Sequence, residues 1–404
     1  MVIPACNESS GFLRPPPPCG GRSLMILVIN ETTAAPEQVS VNNRILAEKA
    51  GAQSETLWQS PPELQGFKLS LLQDRTAPRD ILLVDRFSEG RKLPARGGVG
   101  HARKSGADLA ANLIHRKRIL SPWIHCTDAD VRLPETYFSC CNALPDPDPS
   151  QHPGSDYAAL VYPYHHCDIG GTAAAGDILL ATALYELSLR YYVAGLKFAG
   201  SPYAFNTIGS TMAVRASDYA KVRGFPKREA GEDFYLLNKL AKVGPVLELD
   251  QSPDCEAVQI AARRSDRVPF GTGAAVNTIT GLADPEQQFL YYNPAVFELL
   301  QEWLQSWPAI WHARSTDLAG CRPELLSGLK KMRIAGALDH AFRQSKDLDQ
   351  FTRQMHTWFD AFRTLKLIHI LRDDGLPSVS FSQLQAHQIY GQLFSDPLPV
   401  IHLL

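Results

Sequence analysis

Short apolar runs that end in polar residues recur along the first two thirds of the chain. They cover residues 2–3, 24–29, 81–84, 123–124, 158–161 and 246–249. Stretches with helical spacing separate these runs, and strands that alternate with helices predict an α/β fold with a largely parallel sheet. We therefore expect a Rossmann-like central sheet flanked by helices.

The pattern changes after about residue 275, where strand-like runs fade and helical spacing takes over. Helical spacing puts a set of apolar side chains on one face, namely Phe351, Met355, Trp358, Phe359, Phe362 and Leu365. We expect an α/β domain over residues 1–275 and a mainly helical C-terminal region over residues 276–404.

Composition places the chain among globular proteins. Its 404 residues are 45% hydrophobic and 20% charged, which suits one large core or two moderate ones. The formal net charge of −2 provides no general basic surface for nucleic acid. Eight scattered cysteines without a CxxC pair favour reduced thiols and a cytoplasmic location.

The longest apolar-rich tract covers residues 173–200. It carries Asp177, Glu186, Arg190 and Lys197, so it lacks the roughly 20 uninterrupted apolar residues that span a membrane. We expect a buried amphipathic helix there, with peripheral membrane contact as the alternative. The first residues also lack the pattern of a signal peptide.

Polar residues follow four of the predicted strands. In chain order they are Asn7-Glu8, Asn30-Glu31, Asp85-Arg86 and Asp128-Ala129-Asp130. Ligands of open α/β sheets bind beyond the carboxyl ends of the strands, so these four ends predict a ligand site at one edge.

The pair Asp128 and Asp130 is the strongest candidate for metal binding. Hard divalent ions such as Mg²⁺ or Mn²⁺ take oxygen ligands, and a bound diphosphate supplies the remaining ones. Such an ion neutralises the charge that develops on a departing nucleoside diphosphate. Taken alone, two aspartates around one residue are more typical of a structural loop or turn than of a metal site.

A second acidic pair, Glu232 and Asp233, opens a predicted helix. Acids at this position complement the helix dipole by about 0.3 to 1 kcal/mol, which is a purely structural explanation. The functional interpretation makes Asp233 a general base that deprotonates an acceptor hydroxyl, and Glu232 a second catalytic or acceptor-binding acid.

Two basic segments are suited to phosphate. Arg264 and Arg267 lie in a glycine-containing stretch, residues 263–273, whose guanidinium groups match a diphosphate. Arg103 and Lys104 lie in residues 98–106, which we expect to lead into a helix over residues 107–113 and to present phosphate-binding groups at its start. Solvated loops are the alternative for both segments.

In their order along the chain, these segments resemble the family-2 glycosyltransferases of the GT-A fold. Residues 2–8 look like the family's opening P-x-x-N-E strand, and residues 100–106 are similar to its A-R-N-x-G segment. Residues 127–130 match its D-x-D motif, and Gly224-Phe225 followed by Glu232-Asp233 resembles its G-F and E-D element. The resemblance covers roughly residues 1 to 250.

The resemblance implies specific roles. The nucleotide pocket would be lined by Pro4, Ala5, Asn7 and Glu8. Asp128 would lie near the ribose or the metal, Asp130 would ligate the metal, and Asp233 would be the base of an inverting transfer. The family's Asp-Asp-x-Ser sequence is absent at residues 28–32, so Asn30 or Asp85 would replace it. The late Q-x-x-R-W element and the membrane helices of processive members are also absent.

The sequence thus predicts a metal-dependent glycosyltransferase with a UDP- or GDP-sugar donor and an unidentified acceptor, which loops at residues 162–166 and 203–207 would bind. One alternative is a HAD-type phosphohydrolase, in which Asp128 attacks phosphorus. The other is a degenerate GT-A domain that binds a protein partner through its helical region.

Overall fold

The chain folds into two compact units. The computed structural model describes residues 1–16, 20–52, 54–62, 66–75, 77–142, 144–147, 156–169, 176–249, 254–265, 271–318 and 320–387. The first unit comprises Met1–Ala175 and Thr207–Ala274, and the second comprises Gly176–Asn206 and Ala275–Leu404.

The segment 176–206 therefore belongs with the C-terminal residues, whereas the sequence-based division placed it in the first domain. Its helix, Gly176–Phe198, confirms the helix expected within residues 173–200. Gly195 lies against the Phe297 ring, where an added Cβ would come within 2.5 Å of ring carbons. The Tyr191 hydroxyl donates to the Tyr292 carbonyl at 2.9 Å. These contacts hold the helix in the second unit.

Twelve strands occur in the described part of the first unit. They are β1 (Val2–Ala5), β2 (Ser23–Asn30), β3 (Ser54–Gln59), β4 (Lys68–Asp74), β5 (Arg79–Arg86), β6 (Trp123–Cys126), β7 (Val131–Arg132), β8 (Ala159–Val161), β9 (Tyr164–Cys167), β10 (Met212–Arg215), β11 (Val246–Glu248) and β12 (Val258–Ala261). Nine of them form one sheet in the order β11-β8-β10-β6-β1-β2-β5-β4-β3, and the other three form a small sheet in the order β7-β12-β9.

The centre of the large sheet is parallel. β1 pairs in parallel with β2 and with β6, and β2 pairs in parallel with β5. These are the first four apolar runs of the sequence. β10 is antiparallel to both of its neighbours, and β4 is antiparallel to β3 and β5. The α/β class is thus confirmed, with a sheet that is mixed towards its edges.

Helices cover both faces of this sheet. The first unit contains α1 (Glu37–Ala52), α2 (Val99–His115), α4 (Ala216–Lys221) and α5 (Glu232–Leu240). On one face, Leu46 of α1 packs with Leu27 and Ile29. On the other face, Gly106 of α2 lies directly over Val2 and Val28. Alternate side chains of β2 therefore pack against the helices on opposite faces of the sheet.

Helix α2 begins at Val99, eight residues before the helix start expected from the sequence. The first two turns contain Gly100, Ala102 and Gly106, which are small and buried and let this part of the helix pack closely. A Cβ on Gly100 would lie 2.6 Å from the Arg228 carbonyl oxygen, so this turn packs closely against a neighbouring segment. Residues 99–106 are therefore helix and do not form the phosphate-binding loop that we expected.

The small sheet lies next to the Asp128–Asp130 loop. β7 directly follows Asp130, and the Ala261 amide of β12 donates to the Asp130 carbonyl at 3.0 Å. β9 covers most of the expected acceptor loop at residues 162–166, so Tyr164 onwards is a strand. Cys140 and Cys255 form a disulfide, with Cα atoms 5.4 Å apart, which contradicts the expectation that every thiol is reduced.

The described part of the second unit is helical apart from one β-bridge, between Tyr291 and Val379. Its helices are α3 (Gly176–Phe198), α6 (Thr272–Ile279, from Ala275 onwards), α7 (Pro285–Gln288), α8 (Ala295–Gln305), α9 (Trp307–Ala313), α10 (Pro323–Lys331), α11 (Ile334–Gln344), α12 (Leu348–Trp358), α13 (Ala361–Asp373) and α14 (Phe381–Gln385). Trp303, Trp307 and Phe351 lie at the centre of their shared core.

The single apolar helix face expected between residues 351 and 365 is in fact shared by two helices. α12 ends at Trp358, and the Asp360 side chain then caps α13 by accepting from the Arg363 amide at 3.1 Å. Phe362 consequently leaves the core and is 48% exposed. Within the described ranges, no helix combines the length and apolarity that crossing a membrane requires.

Candidate active site

The carboxyl ends of β1 and β6 form the most suitable ligand position in the large sheet. From β1 the chain first continues to β2 on one side, and it later returns to β6 on the other side of β1. Adjacent parallel strands whose connections leave in opposite directions create a crevice at the sheet edge, where ligands of α/β proteins bind. The residues that follow β1 and β6 therefore face a common space.

Five carboxylates gather at this position. We refer to Glu8, Asp128, Asp130, Glu232 and Asp233 as the acidic cluster. The Thr127 amide donates to the Val2 carbonyl at 3.1 Å, which joins the end of β6 to the start of β1. The side chains of Asp128 and Asp130 are 33% and 23% exposed. Both are therefore within reach of a ligand.

Arg103 joins three separate segments of the chain next to the acidic cluster. Its Nη2 donates to Asp128 Oδ1 at 2.8 Å, its Nε lies 3.0 Å from Glu232 Oε1, and its Nη1 donates to the Gly209 carbonyl. Burial disfavours the charge on this side chain, but the carboxylates of Asp128 and Glu232 outweigh it and raise the pKa of Arg103. Arg103 is thus a fixed cation.

This burial revises the role expected for Arg103. Its side chain is only 3% exposed, so a diphosphate cannot approach the guanidinium group. Gly209 makes room for it, because a Cβ at this position would lie 2.7 Å from Arg103 Nη1. Arg103 positions Asp128 and Glu232, and direct ligand binding falls to other residues.

Glu232 and Asp233 begin α5 as expected, but their surroundings differ. Glu232 is 3% exposed, and burial raises its pKa to about 7 although Arg103 opposes the shift. Asp233 is partly exposed, and its Oδ1 accepts from the Phe234 amide at 2.7 Å. Burial also raises the pKa of Asp233, again against Arg103. Asp233 is thus the more accessible of the two acids, and the burial of Glu232 does not support the expected acceptor contact.

Arg263 joins the other two acids. Its Nη2 lies 2.6 Å from Asp130 Oδ2 and 2.8 Å from Glu8 Oε1, and its Nη1 donates to Glu8 Oε2 at 3.4 Å. Its side chain is 34% exposed. Burial opposes the charge, yet the hydrogen bond to Glu8 and the charge of Asp130 raise the pKa of Arg263.

Other residues expected in the nucleotide pocket stabilise the end of β2 and its surroundings. Asn30 is buried, and its side-chain amide donates to the Ala5 carbonyl at 3.1 Å. Asp85 accepts from the amides of Phe87 and Ser88, at 3.1 and 2.9 Å, and thereby closes its own turn. These bonds give Asn30 and Asp85 a structural role at the end of their strands.

The β1 residues divide into two groups. Pro4 and Ala5 are buried within the sheet, so their side chains do not line the open edge. Asn7 is exposed and has a left-handed backbone, with φ 58°, while its amide donates to Asn43 Oδ1 at 2.9 Å. The turn at Asn7 directs Glu8 towards Arg263.

Of the remaining basic residues, Lys104 pairs elsewhere on the surface. Lys104 pairs with Asp108, 3.0 Å away on the next turn of α2, and its Nζ lies 3.4 Å from the Arg223 carbonyl. Arg264 is exposed, and Arg267 lies outside the described residues. Sequence reasoning selected Arg264 over Arg263. Side chains alternate along extended chain, and Arg263, two residues after Ala261 of β12, is the one whose contacts with Glu8 and Asp130 are observed.

The cluster fits a divalent ion that is shared with a ligand. Within the described part of the chain, no group of three or more His, Cys, Asp or Glu side chains is arranged to hold a metal. Mg²⁺ commonly uses one or two carboxylates together with substrate phosphates, and Glu8 and Asp130 already contact the same guanidinium nitrogen. The donor chemistry of these two carboxylates therefore suits an ion that also binds substrate phosphates.

Comparison with protein-family models, with curated proteins and with solved structures gives no match to this chain.

Proposed function

We propose that the protein is a metal-dependent glycosyltransferase that moves a sugar from a UDP- or GDP-sugar to an acceptor hydroxyl. The observation that carries this proposal is the convergence of five carboxylates and two guanidinium groups where the segments that follow β1 and β6 come together. A site of this kind can hold a cation, bind an anion and accept a proton.

The donor diphosphate would lie at the ends of β1 and β6. Asp130 would hold a Mg²⁺ or Mn²⁺ ion there, assisted by Asp128 or Glu8. When bound, this ion supplies positive charge to the departing nucleoside diphosphate. Arg103 keeps the Asp128 carboxylate in place, because its guanidinium group is buried and water cannot take the place of Asp128 as its partner.

The transfer itself would be a direct displacement. The acceptor oxygen forms a bond to the anomeric carbon while the bond from that carbon to the diphosphate oxygen breaks, and the hydroxyl proton moves to Asp233. A general base works best when its pKa approaches the working pH. Burial raises the pKa of Asp233, which suits this role.

A binding experiment tests the proposal without knowledge of the acceptor. Thermal unfolding is followed with Mn²⁺, with UDP or GDP, and with both together, since a ligand of the native state raises the melting temperature. We expect a larger rise for both ligands together than the sum of the separate shifts. Asp130→Asn should weaken metal binding at least about tenfold and abolish this extra rise.

Asp254→Asn is the matched control, because Asp254 is an exposed aspartate of the same unit outside the acidic cluster. It should behave as the wild type. A wild-type protein that shows no coupling between metal and either nucleotide would refute the proposal. Release of phosphate from phosphomonoesters would instead favour the hydrolase, although the bond from Arg103 to Asp128 makes that carboxylate a weaker nucleophile.

A further inference from the structure

Arg263 occupies the position between two carboxylates that a metal ion would use. The same nitrogen, Nη2, lies 2.6 Å from Asp130 and 2.8 Å from Glu8. Glu8 follows β1 and Asp130 follows β6, so this one cation links the two strand ends of the crevice. A divalent ion bound to both carboxylates would have to take the place of the guanidinium group.

The backbone brings Arg263 to this position. β12 pairs with β7, and the Ala261 amide donates to the Asp130 carbonyl at 3.0 Å. Arg263 follows two residues later, on the same side of the extended chain. The small sheet therefore fixes the backbone position of Arg263. A change of side-chain rotamer is enough to move the guanidinium group away from the carboxylates.

The two arginines of the site differ in their freedom to move. The Arg103 side chain is 3% exposed, whereas that of Arg263 is 34% exposed. The side chains of Glu8 and Asp130 are 10% and 23% exposed, so the Arg263 pairs keep partial contact with solvent. Such pairs break more easily than a fully buried pair, whose loss strands an uncompensated charge. Arg103 is thus fixed, and Arg263 is free to leave its partners when a stronger cation arrives.

We propose that Arg263 is an exchangeable counter-ion, which neutralises Glu8 and Asp130 in the ligand-free protein and moves to the ligand's diphosphate when a divalent ion replaces it. This inference rests on the proposed function. Guanidinium groups form bidentate, charge-assisted hydrogen bonds with phosphate oxygens, so the displaced side chain gains new partners. Metal and diphosphate would then strengthen each other's binding.

The proposed exchange predicts how the protein binds Mn²⁺ when no nucleotide is present. Removing Arg263 removes a cation that competes for Glu8 and Asp130, so Arg263→Gln should bind Mn²⁺ in the absence of nucleotide more tightly than the wild type, by about fivefold or more, the lower end of typical coupling between two sites. The same variant should bind UDP or GDP more weakly in the presence of Mn²⁺. If Arg263 only stabilised the site, its removal would lower the affinity for Mn²⁺ as well as the affinity for nucleotide.

Free Mn²⁺ can be measured by its electron paramagnetic resonance signal during titration of the intact chain, with and without UDP or GDP. Arg118→Gln removes an exposed arginine of the same unit and should change neither affinity. Arg263→Lys keeps the charge but loses the fork, so its Mn²⁺ affinity should lie between those of the wild type and Arg263→Gln. If Arg263→Gln does not fold, the Mn²⁺ affinity of Arg263→Lys alone tests the proposal.

Two outcomes separate this inference from the function on which it rests. If the wild type binds Mn²⁺ and nucleotide cooperatively but the Arg263 variants bind Mn²⁺ no more tightly than the wild type, the counter-ion role is overturned and the function stands. If no form binds Mn²⁺ with either nucleotide, both are overturned.

Discussion

Asp233 is the partly exposed acid at the start of α5, next to the buried Glu232. In the proposed mechanism it accepts the proton of the acceptor hydroxyl, and Asp233→Asn removes that ability while preserving size. We expect turnover to fall by about 10² to 10⁴, the usual contribution of a general base, with nucleotide affinity unchanged. A donor-consumption assay and a binding titration measure the two quantities, and Asp254→Asn is the control. Equal rates for Asp233→Asn and wild type would eliminate the assignment.

Glu232 should make the stability of the protein depend on pH. Burial raises its pKa from 4.5 to about 7, so between these values the folded chain retains a proton that the unfolded chain releases. Its contribution to stability is complete below pH 4.5 and is lost as the pH rises through about 7. Glu232→Gln should therefore flatten this fall in the free energy of unfolding.

Urea unfolding at several pH values tests this expectation. Glu135→Gln provides the matched control, because Glu135 is exposed. The control should preserve the wild-type pH dependence. If Glu232→Gln and the wild type lose stability in parallel from pH 5 to pH 8, burial of this carboxylate is not the cause.

The sequence predicted acidic residues of the site better than their partners. Asp128, Asp130, Glu8 and the 232–233 pair follow recognisable strand and helix ends, and these ends do converge. The pairing of Arg103 with Glu232 joins residues that are far apart in the chain, and no spacing rule encodes it. Whether these residues perform the proposed chemistry stays a prediction.

Helix α2 depends on a glycine for its close approach to the sheet. A Cβ on Gly106 would lie 2.5 Å from Val2 Cγ1 and 3.0 Å from Val28 Cγ2, and both side chains belong to the buried β1 and β2 strands. We expect Gly106→Ala to lower the free energy of unfolding by about 1 to 3 kcal/mol through overpacking, despite the better helix propensity of alanine.

Gly336→Ala is the matched control, since Gly336 is also helical but has no atom within 4 Å of the added Cβ. Alanine there should be neutral or stabilising by up to about 1 kcal/mol. Opposite signs for the two variants in urea unfolding would support the packing argument. Equal effects would contradict it.

Apolar runs identified the strands that are buried on both faces, such as β2, because burial demands a continuous hydrophobic sequence. They missed β3, which lies at the edge of the sheet and is largely exposed. They also missed β10, whose four residues lie between β6 and β8. Pairing with distant strands defines such short elements, and local sequence does not reveal it.

The disulfide between Cys140 and Cys255 is the longest-range covalent feature described, with a sequence separation of 115 residues. It anchors the segment before β12, the strand that leads to Arg263. We expect protein purified without reductant and then denatured to show two fewer reactive thiols per chain than after reduction. Cys255→Ala should lower the free energy of unfolding by about 2 to 4 kcal/mol.

Cys321→Ala is the control for the stability measurement, because Cys321 is a free, partly buried cysteine of the second unit. Its loss should have a smaller effect, and that effect should not depend on reductant. Identical thiol counts before and after reduction would show that the bond does not form. Cytoplasmic location, which was inferred from the cysteines, stays a prediction.

The space left by Gly209 has a consequence for variation at this site. The Arg103 guanidinium fills the volume that any larger residue would need, and its bonds to Asp128 and Glu232 leave it nowhere to retreat. Even a single methyl group at Gly209 would displace the Arg103 guanidinium, and Asp128 and Glu232 would lose their shared partner although the methyl group contacts neither of them. A position without any functional group of its own thus constrains the geometry of two carboxylates, and substitutions at Gly209 should alter the site although glycine takes no part in its chemistry.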